Sequence, residues 1–131
     1  MDLMPLRFAP GADLRRALED TFAASVVKAA FVVAGVGSLS DAALRLAGKD
    51  APGKLDGPLE IVTLAGSLSP DGAHLHACVS DGQGRVFGGH LAYGCVVRTT
   101  AEVLVAFLPE WAFAREHDSR TGFRELVVRR D

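Results

Sequence analysis

His74 and His76 stand two residues apart in the run from Gly72 to Ser80, and His90 follows beyond a glycine-rich turn. Side chains alternate faces along an extended strand, so His74 and His76 point the same way. The stretch Asp81-Gly82-Gln83-Gly84-Arg85 reads as the turn of a hairpin. If its loop is Gly82 to Gly84, with Gly84 left-handed, Asp81 pairs with Arg85 and His90 falls opposite His76. A two-residue loop would turn His90 to the other face. With the longer loop, three imidazoles converge with a fourth position open. That is the outline of a catalytic or exchangeable metal site suited to zinc, nickel or iron. Gly88 and Gly89 leave room beside His90, and Cys78 continues the same face as a candidate fourth ligand. The plainer reading, core or interface histidines bonded to backbone, also stands on sequence alone.

The elements that must position these residues follow from periodicity. Leu3 to Phe8 is apolar enough for a first strand, ended by Pro10-Gly11. Asp13 opens a helical pattern in which Leu14, Leu18, Phe22 and Val26 recur on one stripe. Ala29 to Val36 reads as a buried strand. A turn through Gly35, Gly37 and Ser38 to Ser40 follows, with a return strand at Ala42 to Ala47. Gly48 to Gly57, with Pro52, Gly53 and Asp56, reads as a surface loop. From there strands dominate: Leu59 to Ser67, Ala73 to Ser80, Arg85 to Ala92, Cys95 to Phe107 and Phe123 to Val128. Pro109 to Thr121 reads as irregular, with a helical turn near Trp111 to Glu116. The expected fold is an α/β (α+β) domain spanning residues 1–131, a mainly antiparallel sheet with one principal helix packed on it. The strands carry more apolar residues than one helix can cover, which points to self-association.

The chain has 131 residues, 49% of them hydrophobic and 23% charged, a globular composition. Its formal net charge of -2 disfavours a protein that grips duplex DNA by charge alone. No secretory leader is evident, and the longest apolar run, Ala29 to Val36, falls short of the ~20 residues that span a bilayer. A cytoplasmic, non-membrane protein is expected, with Cys78 and Cys95 as reduced, buried thiols. Gly35-Val36-Gly37-Ser38 lacks the third glycine of a dinucleotide fingerprint and the Gly-Lys-Ser/Thr of a phosphate loop. Arg115, Arg120, Arg124, Arg129 and Arg130 are nearly cancelled by Glu110, Glu116, Asp118, Glu125 and Asp131, and read as a solvated face. Trp111 and Phe113 read as core or contact cover rather than as a stacking platform for bases.

Several stretches together closely resemble the PPC (plant and prokaryote conserved) domain family. They are GVGSLSDAALRL from Gly35 to Leu46, the His74-Leu75-His76 triplet, DGQGRVFGGHL from Asp81 to Leu91, and Glu102. The resemblance implies an α/β fold with one main antiparallel sheet, assembled as a homotrimer. In plants this domain accompanies minor-groove AT-hooks, so the resemblance also implies a DNA-associated regulator as one function. This chain has no Arg-Gly-Arg-Pro hook, and reads Gly57-Pro58-Leu59-Glu60-Ile61-Val62 where plant members have Gly-Arg-Phe-Glu-Ile-Leu. Acetolactate decarboxylases, on a similar fold, hold zinc with a like histidine pair and a later histidine. That similarity implies a metal site at His74, His76 and His90, and a third function, a metal-dependent lyase or hydrolase on a small carboxylate. For such chemistry Glu102 is the candidate proton carrier and Arg45 the candidate carboxylate clamp. The leading expectation is a homotrimer with a metal- or small-ligand-binding histidine cluster.

Overall fold

Asp13 ends the extended lead-in and caps a helix. Its Oδ1 accepts the Arg16 amide at 3.1 Å and its Oδ2 the Gly94 amide at 2.7 Å, tying the helix start to a distant loop. In the computed structural model, which describes residues 1–131, this helix is α1 (Leu14–Ala23). Leu14, Leu18 and Phe22 are its buried stripe. The stripe stops there: the helix ends at Ala23, and Val26, expected to extend it, is 98% exposed.

Eight strands accompany it: β1 (Asp2–Phe8), β2 (Ala30–Arg45), β3 (Gly53–Ser69), β4 (Gly72–Ser80), β5 (Val86–Leu91), β6 (Val96–Phe107), β7 (Trp111–His117) and β8 (Arg124–Arg130). The first six form one antiparallel sheet in the order β1-β6-β2-β3-β4-β5. The fold is therefore mostly antiparallel β-sheet with a single helix, as the sequence implies. β2 and β3 are long enough to bend, and the ladders of β2 with β3 and with β6 contain register shifts. The bend carries the end of β2 round to the far edge, where Leu44 pairs with Leu91 and Arg45 with His90. Strands β2 to β5 thus close on themselves. Buried Leu39, Leu44, Leu64, Leu75, Val79 and Leu91 belong to one continuous core with the helix stripe. Each such side chain contributes about 1.5–3 kcal/mol of burial.

Three sequence expectations are corrected here. Gly35 to Ser40 is not a turn between two strands, because β2 runs straight through it. A Cβ on Gly37 would overlap the Thr100 carbonyl, so this glycine marks a close backbone approach to β6 rather than a reversal. Gly53 to Gly57 is not loop but the outer end of β3, and its polar residues face solvent while it pairs with Asp41 to Leu44. Trp111 to His117 is not helical. It pairs with Arg124 to Arg130 as a separate two-stranded ribbon. Phe113 anchors the ribbon: it is buried edge-on against Phe31, with ring centroids 5.6 Å apart.

Candidate metal centre

β4 shows why the histidines face outward. Leu75, Ala77 and Val79 are buried in the core, and the alternation of the strand turns His74, His76, Cys78 and Ser80 to the other face. The turn after β4 sets the partner. Gly84 has φ +79°, the Asp81 amide donates to the Arg85 carbonyl at 2.9 Å, and Asp81 Oδ1 accepts the Gln83 and Arg85 amides. The three-residue loop is thus the one formed, and His76 pairs with His90.

The three rings meet. His74, His76 and His90 each offer a ring nitrogen, all within 4.8 Å of one another. Ring centroids are 5.0 Å apart for His74–His76, 5.3 Å for His74–His90 and 4.6 Å for His76–His90. His74 and His90 are near parallel and His76 stands across both. His76 is exposed and the other two half-buried. The Nε2 atoms of His74 and His76 lie 3.2 Å apart. Two nitrogens on a tetrahedral ion at 2.0–2.1 Å would be separated by roughly 3.3 Å, so this spacing fits a shared metal.

Arg115, read from sequence as part of a solvated basic face, is instead at the cluster. Its Nη2 donates to His74 Nδ1 at 2.9 Å and to Ser67 Oγ at 2.9 Å. The ribbon holds it there through the Arg115 amide on Asp71 and the Arg124 side chain on the Arg115 carbonyl. A neutral imidazole that accepts at Nδ1 carries its proton on Nε2. His74 then donates that proton to His76 Nε2 across the 3.2 Å contact. Ligation through His74 Nε2 requires the proton to leave, so Arg115 sets the tautomer against which a metal competes. The available signal was alternation: Trp111, Phe113 and Arg115 share a face of β7, and the first two are apolar.

Arg45 lies directly across the β2–β5 ladder from His90. Cys78 shares the face of His76 but stands outside the group of converging ring nitrogens. It is half-buried rather than buried, whereas Cys95 is fully buried; both thiols are free. Glu102 is not with the histidines. On β6 it pairs with Arg7 and Val36 and lines a separate apolar cleft with Leu6 and Val103, so this fold gives it no proton to carry within the chain's own cluster.

The cluster sits in a positive field. Burial pushes His74 down from 6.5 to about 4, helped by Arg115 and the two neighbouring histidines and opposed by Glu125. Burial, Arg45 and His76 also lower His90. Both rings are therefore neutral at pH 7, and on His74 the lone pair at Nδ1 is held by Arg115. A stability effect follows. Between pH 6.5 and about 4 the unfolded chain binds a proton that folded His74 refuses. Metal-free protein should keep its full stability above that window and lose some as pH falls through it. Thermal melts of chelator-treated protein should show a steeper decline across the window for wild type than for His74→Gln. Equal slopes would remove His74 as the source.

Comparison with known proteins identifies relatives of this chain. The family model of the Plants and Prokaryotes Conserved (PCC) domain matches residues 1–109, which include all three histidines but not Arg115. A hypothetical protein of Salmonella enterica is 37% identical in structure-based comparison, with TM-score 0.95 over 98% of this chain and 94% of that one. A metal-containing protein of Archaeoglobus fulgidus is 28% identical, with TM-score 0.80 over 97% of this chain and 94% of that one. A Synechococcus protein named bifunctional protein GlmU is 46% identical over 128 residues, which are 98% of this chain and 20% of the relative. The chain thus spans about a fifth of that relative's length. A mostly antiparallel sheet with one helix, the family model's reach and the Salmonella likeness together mean that the chain belongs to the Plants and Prokaryotes Conserved (PCC) domain family.

Proposed function

We propose that this protein binds one transition metal, zinc, nickel or iron, through His74, His76 and His90, and leaves a coordination position open to a small ligand. The observation that carries the reading is the convergence of three ring nitrogens within 4.8 Å, with two of them at the spacing of shared ligands. The depressed His74 and His90 support it, because a metal needs neutral imidazoles. The similar Archaeoglobus protein, described as metal-containing, supports it as well. A metal held this way supplies Lewis acidity toward a ligand oxygen. This chain's own part is to fix the rings on two paired strands, to keep His74 and His90 unprotonated, and to present Arg45 and Arg115 beside them.

The reading includes assembly as a homotrimer. Leu3, Phe31, Val33, Val36 and Val62 are exposed apolar residues on the strands, and the cleft between β1, β2 and β6 is almost wholly apolar, so a second copy would cover what the single helix does not. The regulator reading draws less support. Three of the basic residues of the ribbon are paired with acids: Arg129 with Glu116 at 2.9 Å, Arg130 with Glu110 and Arg120 with Asp118 at 3.6 Å. That leaves little net positive surface for phosphates.

The test is metal content by plasma mass spectrometry on untagged protein, as purified and after incubation with zinc or nickel and desalting. About one ion per chain is expected. No retained ion under any condition would overturn the proposal and leave the histidines structural.

A further inference from the structure

The nitrogen that a metal leaves free on a ligating histidine carries a proton and ordinarily donates it to a carboxylate, a carbonyl or water. His74 is built the other way round. Its Nε2 faces His76 Nε2 at 3.2 Å, the spacing of shared ligands, and its Nδ1 faces the Arg115 guanidinium at 2.9 Å. Arginine offers only donors. Without a metal the arrangement is consistent, because Nδ1 accepts and Nε2 holds the proton. With a metal on Nε2 that proton moves to Nδ1, and two donors meet head-on. We infer that Arg115 and a metal are mutually exclusive partners of His74, so that metal binding releases the outer end of the β7–β8 ribbon. The inference rests on the metal site proposed above and adds a coupling between that site and the ribbon.

The contacts define what is freed. Arg115 touches the hairpin of β3 and β4 at three points. Its Nη2 donates to His74 Nδ1 and to Ser67 Oγ, both at 2.9 Å, and its amide donates to Asp71 Oδ2 at 2.8 Å. Two of the three ties hang on one nitrogen. The base of the ribbon is held separately. The Phe113 amide donates to the Lys28 carbonyl at 3.0 Å, the Phe113 ring is buried against Phe31, and Lys28 pairs with Asp131 at 2.7 Å. Beyond Arg115, the hydrogen bonds of Glu116 to Arg124 stay within the ribbon. Arg115 is thus the last polar fastening of the outer end, and the base stays docked when it lets go.

The exchange leaves no group stranded. Ser67 is buried and pairs with His74 across the β3–β4 ladder, and departure of Arg115 frees its hydroxyl to accept the Nδ1 proton. The guanidinium has a way out, since Arg115 is only half-buried. The coupling is reciprocal: a docked ribbon weakens metal binding by the same factor with which metal loosens the ribbon. Repulsion between the guanidinium and a metal cation acts in the same direction.

Zinc affinity measured on the full chain by competition with a chromophoric chelator, together with hydrogen exchange followed by mass spectrometry, tests this. Zinc should speed exchange between Arg115 and Arg124 in wild type and leave Trp111 to Phe113 unchanged. Arg115→Gln, whose side-chain oxygen can accept from Nδ1, should bind zinc at least about tenfold more tightly. Its outer ribbon should exchange fast with or without zinc. Arg115→Lys keeps a cationic donor and should stay closer to wild type than to Arg115→Gln. An Arg115 that only supports the site would give the opposite sign, weaker zinc binding in Arg115→Gln, and that result overturns the inference. Tighter binding in the variant without any zinc-induced exchange in wild type also overturns it, leaving charge repulsion alone. Equal zinc affinity in wild type and Arg115→Gln overturns the coupling and spares the metal site. Zinc bound by none of the three proteins removes both.

Discussion

The His76→Ala protein should purify without its metal while remaining folded. His76 is the cluster member that faces both others: its ring lies 5.0 Å from His74 and 4.6 Å from His90 by centroids. Removing it leaves two near-parallel rings 5.3 Å apart, which do not close a coordination shell on their own. Loss of an outer hydrogen-bond partner to a metal ligand costs ~10–100-fold in affinity, so loss of the ligand itself should exceed ~100-fold. The fold should barely register the change, because His76 is exposed and points away from the core. Its stability should stay within about 0.5 kcal/mol of wild type in metal-free solution. Metal retained at the wild-type level would contradict the assignment.

Gly66→Ala should do the reverse, damaging the fold and the site together. Gly66 pairs with Leu75, between Ala65 opposite His76 and Ser67 opposite His74. A Cβ there would overlap the His74 carbonyl oxygen and stand 2.8 Å from the Leu75 Cα. These are backbone atoms, which cannot swing aside as a side chain can. β3 and β4 would have to separate, or slip by one residue and turn Leu75, Ala77 and Val79 out of the core. A cost on the order of 3 kcal/mol is expected, a large share of a typical domain's stability. Urea unfolding followed by circular dichroism should show a clearly lower midpoint, and metal binding should weaken in parallel. A variant as stable as wild type would refute the close pairing at this point.

The strand pattern and one turn made the histidine cluster legible. Strict alternation in β4 separates Leu75, Ala77 and Val79 from the histidines, and the Asp81 to Arg85 turn fixes the register that brings His90 across from His76. The helix start was legible for a similar reason, since Asp13 is a local cap. What sequence missed depends on long-range contact. Gly37 looks like turn punctuation because nothing in the sequence shows β6 pressed against it. The polar outer end of β3 looks like a loop because it pairs only along an exposed edge of the sheet. Glu102 was grouped with the site because it belongs to the same resembling segment, yet its strand runs to the other side of the sheet. Arg115 was lost among ribbon charges that largely pair off, and only the docking of β7 brings it onto His74. Arg15, far from the histidines in the chain, lines one cavity with His74 and His90 only through the docking of α1.

Anomalous diffraction from crystals grown with zinc tests the central claim most directly. The account predicts one strong peak per chain, with nitrogens of His74, His76 and His90 about 2.0–2.1 Å away. No peak at the three rings, with their nitrogens instead bonded to Arg115 and to one another, would contradict it.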